Sequence, residues 1–217
     1  MDKAGVKMKI ELRLEEEKDY RIVEEVTREA FWNIYVPGAD EHLLIYNLRK
    51  AKEFIHDLDF VAVSENKIIG NIVYAEAKVI DCEKKHNVIT FGPVSVLPEY
   101  QNRGIGTKLI KHTVQLAKEM GYKAIIIYGD PEYYKRFGFR ESINYNITNK
   151  EGKFPAPLLA LELFPNALSG VNGKFDEGKI YEVDKKELEE FEKGFIKKEK
   201  LKIKRQNRFI ELSNKFL

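Results

Sequence analysis

From Ile10 to Leu14 apolar and charged residues alternate, the period of a half-buried strand. Asp19 then offers an N-cap to a helix with Ile22, Val23, Val26 and Ala30 along one side, broken at Pro37-Gly38. Asp40 offers a second cap, to a helix with Leu44, Leu48 and Ala51 as its inner stripe. Two strands follow, Phe60 to Val63 and Ile68 to Ile80, joined by the polar turn Ser64-Glu65-Asn66-Lys67 as a hairpin. A further apolar stretch from Val88 to Leu97 is interrupted by Gly92-Pro93, where proline cannot donate to a ladder and pairing stops or bulges.

The spacing of Leu109, Thr113, Ala117 and Met120 predicts a helix after Arg103, stopped at Gly121. Ala124-Ile125-Ile126-Ile127 reads as a strand buried on both faces. Asp130-Pro131 starts a brief helix that ends at Gly138, and two strands are expected near Ser142 to Ile147 and Leu158 to Leu163. A helix joining two strands in this way implies a parallel pair inside a mixed sheet, and so a mixed α/β fold.

Composition narrows the class. The chain has 217 residues, 43% hydrophobic and 33% charged, which suits one sizeable core. No window approaches the ~20 apolar residues that span a bilayer, and the charged stretch Met1 to Glu17 carries no leader pattern. The single cysteine, Cys82, excludes an internal disulfide, fits a reducing cytoplasm, and lies among charged residues that give no reason to read it as a nucleophile. The net charge of +2 conceals an asymmetry. Residues 185–217 hold eleven Lys or Arg against six Asp or Glu, leaving the body mildly acidic.

The segment with chemical content is Gly92-Pro93-Val94-Ser95-Val96-Leu97-Pro98-Glu99-Tyr100-Gln101-Asn102-Arg103-Gly104-Ile105-Gly106-Thr107: strand, loop and first helical turn. The first N–H groups of a helix lack internal partners and carry the positive end of its dipole. Gly104 and Gly106 would let a bulky anion approach them, and Arg103 adds charge. Neither the Walker pattern nor the three-glycine dinucleotide turn is matched, so these residues alone also fit a tight structural connection.

Gln101-x-x-Gly104-x-Gly106, behind Val94-Ser95-Val96 and ahead of an amphipathic helix, resembles the acetyl-CoA signature of the GNAT N-acetyltransferase superfamily. Tyr133-Tyr134-Lys135-Arg136-Phe137-Gly138-Phe139 resembles its second hallmark, at the right spacing. Gly92-Pro93-Val94 and Gly129-Asp130-Pro131 are similar to the YhbS-like branch, as are Ala160-Leu161-Glu162-Leu163 and Gly170-Val171-Asn172-Gly173. The resemblance covers roughly residues 8–165 and implies a central mixed, mostly antiparallel sheet with a splayed parallel strand pair, flanked by helices.

It also implies acetyl-CoA as cosubstrate, an unidentified amine as acceptor, and no metal. Backbone groups of Val94, Ser95 and Val96 would pair with the pantetheine, and the run Gln101, Asn102, Arg103, Gly104, Ile105, Gly106 and Thr107 would hold the pyrophosphate. Tyr134 takes the place of the family's thiolate-protonating tyrosine, with Tyr133 turned toward the core beside Phe137. No general base is legible: Glu76 and His42 are candidates, but the better reading of each is ordinary, Glu76 as a solvated strand face and His42 as a helix-surface residue, and water could relay the proton instead.

Residues 166–217 form an extension beyond that pattern. Its basic run from Lys193 to Arg208 suits either a nucleic-acid arm or a docked segment, and helical spacing of Leu188, Phe191 and Phe195 favours docking. Nucleic acid and membrane are therefore not expected as partners, and a homodimer stays open. The rival readings are a catalytically silent acyl-CoA sensor and a protein that binds nucleic acid through its tail.

Overall fold

A computed structural model describes residues 8–82 and 84–217. The start of the N-terminal stretch read for a leader, residues 1–7, lies outside the described residues. The strands are β1 (Glu11–Leu14), β2 (Phe60–Ser64), β3 (Lys67–Asp81), β4 (Lys84–Val96), β5 (Ala124–Tyr128), β6 (Arg140–Glu141), β7 (Ile147–Thr148), β8 (Leu158–Glu162) and β9 (Gly173–Asp176). The helices are α1 (Tyr20–Phe31), α2 (Glu41–Leu48), α3 (Ile105–Glu119), α4 (Pro131–Tyr134), α5 (Lys185–Glu192) and α6 (Arg205–Ser213).

The sheet runs β1-β2-β3-β4-β5-β8-β6, with β9 paired to β3 and β7. All neighbours are antiparallel except β4 with β5 and β7 with β9. The mixed, mostly antiparallel architecture is the one expected. Glu65 and Asn66 both have positive φ, +50° and +62°, the turn geometry that matches the twist of the β2–β3 hairpin.

Side chains alternate across β3, and that alternation sets the layers. Asn71 bonds Thr27 of α1, whereas Tyr74 bonds Thr113 of α3, so the two helices cover opposite faces. Val23 and Val26 of α1, Leu109 and Ile110 of α3, and Ile69, Ile72, Val73 and Tyr74 of β3 are all buried in one core. Each such aliphatic side chain contributes roughly 1.5–3 kcal/mol by leaving water. Among the described residues no helix is long and apolar enough to cross a membrane.

Several local expectations need correcting. Asp19 precedes α1 but does not cap it, because its carboxylate accepts from Arg13 (2.5 and 3.0 Å) and from the Glu16 amide. Asp40 makes no side-chain cap, and α2 ends at Leu48 with Leu43 and Ile45, rather than Leu44, fully buried. Ile22 and Met120 are exposed. The strand expected from Ser142 is a short helical turn: Asn144 donates to the Glu141 carbonyl and Asn146 adopts φ +53°, which bends the chain. Strand β9 was not anticipated, although buried Phe175 opposite Val79 joins it to the sheet.

The C-terminal segment packs on α1 and α2. Glu192 at the end of α5 accepts two bonds from Arg28 (2.9 and 2.8 Å), a guanidinium only 3% exposed. Phe191 stacks near His42 and Tyr46, and Phe195 lies under Arg21, 3.7 Å from ring centre to Cζ. Leu188, Phe191 and Phe195 are half-buried rather than enclosed. Further on, the Trp32 and Asn33 side chains donate to the Glu199 carbonyl.

His42 is fully buried, not a helix-surface residue. Its Nε2 lies 2.6 Å from Glu192 Oε1, though out of hydrogen-bond alignment. Burial pushes the imidazole down to about 4 against the opposing pull of Glu192. Burial alone would raise Glu192, but its bonds to Arg28 and proximity to His42 outweigh that and leave it below the usual carboxylate range.

The sign for stability follows. Between about 6.5 and 4 the unfolded chain protonates His42 and the folded chain does not, so stability falls as pH falls through that window. Glu192, depressed in the fold, contributes stability that is lost at still lower pH. Lowering the pH from 7 to 5 should cost the wild type about 2 kcal/mol through His42. Denaturant titration at both pH values should find that loss removed in His42→Leu. Equal pH sensitivity in the variant would show that His42 protonates freely in the fold.

Candidate active site

The site begins with a mismatch in the β3–β4 ladder. Ile72 faces Val94 and Tyr74 faces Phe91, so Gly92 and Pro93 together stand opposite Val73 as a bulge. On its other edge β4 pairs with β5 only at Ile89 and Ile125. Beyond Ile89 the two parallel strands diverge, while β4 stays paired to β3 as far as Val96. The outer edge of β4 therefore keeps backbone groups that β5 does not engage.

That edge leads into the start of α3. Gly104 precedes the helix at φ +79°, ψ +9°, left-handed geometry that disfavours side chains, and a Cβ there would meet nothing within 4 Å. The first helical bond runs from the Lys108 amide to the Gly104 carbonyl, 3.0 Å. The amides of Ile105, Gly106 and Thr107 precede it and have no intrahelical acceptor. With the helix dipole, they make a seat for an anion.

A cleft of about 620 Å³ lies over these elements. It is lined by Val94, Val96, Gln101, Asn102, Gly104, Ile105, Gly106 and Thr107 and, among others, by Ile34, Tyr35, Tyr128, Gly129, Asp130, Tyr133, Tyr134 and Arg136. Two of the expected residues do not line it. Ser95 is fully buried and its Oγ donates to Thr27 at 3.0 Å, so only its backbone can serve the cleft. Arg103 is exposed, with its guanidinium 5.6 Å from the Tyr100 ring centre. Gln101 does line the cleft, but its Nε2 donates to the Val96 carbonyl (3.0 Å) and so braces the loop against the strand.

The two candidate bases also fall outside. Glu76 is exposed, pairs opposite Ile89 on β3, and does not line the cleft. His42 is held behind α5 by Glu192 and does not line it either.

Tyr134 does. Asp130 caps α4 by accepting from the Glu132 amide, 3.0 Å, and the Tyr134 amide bonds the Asp130 carbonyl. The Tyr134 ring packs among Phe91, Tyr133 and Phe139 and lies directly over Gly129, where a Cβ would come within 2.3 Å of it. Burial pushes its phenol well above the ordinary tyrosine range, so it stays protonated. Tyr133 packs beside Phe137 against the core, ring centres 5.6 Å apart, as expected, but it also lines the cleft, its hydroxyl 3.3 Å from the place of a Gly106 Cβ. The cause is that α4 is one turn long and tightens at Lys135, so neighbouring rings both reach the cleft.

Arg136 was overlooked as a site residue. Its Nε donates to the Tyr133 carbonyl at 2.8 Å and its guanidinium sits 4.6 Å from the Tyr133 ring centre, adding a fixed cation to the cleft wall. The signal was present in the run Tyr133 to Phe139, where Arg136 is a cation two residues before Gly138. Beside the cleft lies a second cavity of about 520 Å³, which shares Ile34, Tyr35, Tyr128, Gly129 and Asp130 with it.

A family model described as the acetyltransferase (GNAT) family matches residues 23–139. The uncharacterized N-acetyltransferase YhbS of Escherichia coli K12 is 25% identical over 134 residues, 61% of this chain and 78% of YhbS. The uncharacterized N-acetyltransferase YjhQ of the same organism is 32% identical over 85 residues, 38% of this chain. That match spans 45% of YjhQ, less than half of its length. The crystal structure of Escherichia coli YhbS in complex with CoA superposes with a TM-score of 0.73 at 20% identity, covering 84% of this chain and 97% of that one. A Brucella melitensis GNAT acetyltransferase in complex with acetyl-CoA gives 0.66 at 24%, covering 81% and 100%. The family match takes in the bulged strand, the Gly104 turn and the Tyr134 helix together, and the chain belongs to the GNAT acetyltransferase family.

Proposed function

We propose that this chain transfers the acetyl group of acetyl-CoA directly to an amine. The observation that carries the reading is the open edge of β4 running into the Gly104 turn and the unpaired amides of α3, across the cleft from Tyr134. The YhbS complex with CoA and the Brucella melitensis complex with acetyl-CoA share this fold, which supports the same cosubstrate here.

In this reading the pantetheine lies along Val94, Ser95 and Val96 and is read by backbone groups. The pyrophosphate sits on the run from Gln101 to Thr107. Gly104 suits it, because the space its missing side chain leaves is open. Arg136 adds charge on the facing wall, and Arg103 acts only from the rim.

The chemistry then asks little of side chains. The neutral amine forms the C–N bond as the carbonyl electron pair moves to oxygen. The pair returns, the C–S bond breaks, and the sulfur takes a proton from the Tyr134 phenol. The proton lost by the amine passes through water to restore the phenol. Burial holds Tyr134 neutral and also makes it a weaker acid, so its proton moves only as full charge develops on sulfur. The lone exposed thiol, Cys82, suits action in a reducing cytoplasm.

Tyr134→Phe should lower kcat by roughly 10²-fold or more and leave acetyl-CoA affinity within about twofold, because the phenol matters only in the transition state. Steady-state kinetics with calorimetry checks it, and wild-type kcat in that variant would assign the proton to another group.

Gly129→Ala tests the same ring by another route. The added Cβ collides with the Tyr134 ring, so the variant should lose about 1–3 kcal/mol of stability and shift the ring. Urea titration and a structure of the variant read both effects. Unchanged stability and ring position would mean that Tyr134 is loosely held.

A further inference from the structure

We infer that the C-terminal segment builds the acceptor pocket of this protein through α6, and that the pocket takes a primary amine borne on an uncharged, aromatic or apolar body. The inference rests on the acetyl-transfer reading above. Its starting point is the second cavity, about 520 Å³, which opens onto the cleft across Tyr35, Gly129 and Asp130. An acceptor bound there sits beside the turn that carries Tyr134.

The far wall comes from beyond residue 166: Arg208, Leu212 and Phe216. These residues are pinned rather than draped. Arg208 Nη2 donates to Asp130 Oδ2 at 2.6 Å, so α6 is tied to the N-cap of the catalytic turn. The Ala156 amide bonds the Lys215 carbonyl (2.8 Å) and the Leu217 amide bonds the Phe154 carbonyl (2.9 Å), which fixes the end of the chain as an edge bridge. Without this segment the cavity would lose a side and open to solvent.

Its lining gives the chemical class. Tyr128 and Phe216 contribute rings that are 44% and 48% exposed, and Ile34, Pro155, Pro157 and Leu212 complete an apolar surface that a flat hydrocarbon body would cover. The charged lining residues are Asp130 and Arg208, and they neutralise one another. Asp130 Oδ1 is also engaged, by the Glu132 amide. Glu151 and Glu177 act on the Tyr128 phenol but do not line the cavity, and Lys153 adds a cation 5.0 Å from the Phe216 ring centre. No lining carboxylate is left for a second ammonium, and desolvating an unpaired charge is costly. The pocket therefore selects a monoamine over a polyamine or an aminoglycoside. Its volume falls within the range of small-molecule sites, about 300–1,000 Å³, and suits one or two rings.

The test uses the full chain, acetyl-CoA, and four amines: phenylethylamine, tryptamine, spermidine and kanamycin. Thiol release should show kcat/KM for the aromatic monoamines at least tenfold above the two polycations. Leu212→Arg should raise the aromatic amine KM tenfold or more, with acetyl-CoA affinity by calorimetry unchanged, and Leu212→Met should restore the wild-type value. Phe216→Ser serves the same purpose if Leu212→Arg does not fold. Preference for the polycations, acetyl-CoA binding without acetylation of either aromatic amine, or an unchanged KM in the folded variants would overturn the inference while leaving acetyl transfer in place. Failure to bind acetyl-CoA at all would instead remove the functional reading on which it stands.

Discussion

Strands β4 and β5 run parallel but share only the pairing of Ile89 with Ile125, and the site depends on what happens past that point. A continued ladder would have used the backbone of Thr90 to Val96 twice, once on each edge. Instead β4 remains with β3 through the bulge at Gly92-Pro93, and β5 turns to pair along its length with β8. The gap puts an unpaired strand edge, the amino end of α3 and the α4 turn around one cleft. Buried backbone groups need partners, and an extended ligand can supply them along such an edge.

The C-terminal segment is tied to this arrangement at two places with different physics. At α5 the tie is electrostatic and buried: Arg28 and His42 converge on Glu192, with Phe191 and Phe195 packed over them. Removing one member of such a cluster leaves charge uncompensated, so the cluster locks the segment in position even where its net contribution to stability is small. At α6 the tie is an exposed ion pair, Arg208 with Asp130, reinforced by backbone bonds at the chain end. The first holds the segment on the α1–α2 side; the second brings it to the edge of the cleft. Between them Lys198 pairs with Glu29, while Lys197, Lys200, Lys202 and Lys204 are exposed.

Much of this was legible in the chain. Tyr134 came only from the resemblance of Tyr133 to Phe139 to the family's second motif, whereas Gly92-Pro93 marked the interruption and the run from Gln101 to Thr107 marked the helix start in the residues themselves. These are features of local backbone chemistry, which neighbouring residues determine. What escaped depends on contacts between distant parts. His42 reads as polar and thus as surface, and the Phe191 and Phe195 rings that cover it come from the far end of the chain. Arg103 sits inside the motif, but loop geometry turns it to solvent. Strand β9 is four residues long, too short for a period to be counted, and is defined by its partners.

In the proposed function an acyl-CoA is read by the backbone along the divergent strand and the first turn of α3. Amide hydrogen exchange with and without saturating CoA addresses it directly, since it reports on the N–H groups themselves. Slowed exchange is expected in residues 94–96 and 102–107, with little change in β1, β2 and the outer face of α5. CoA binding that leaves both of those segments unprotected, or that protects another part of the chain instead, would contradict it.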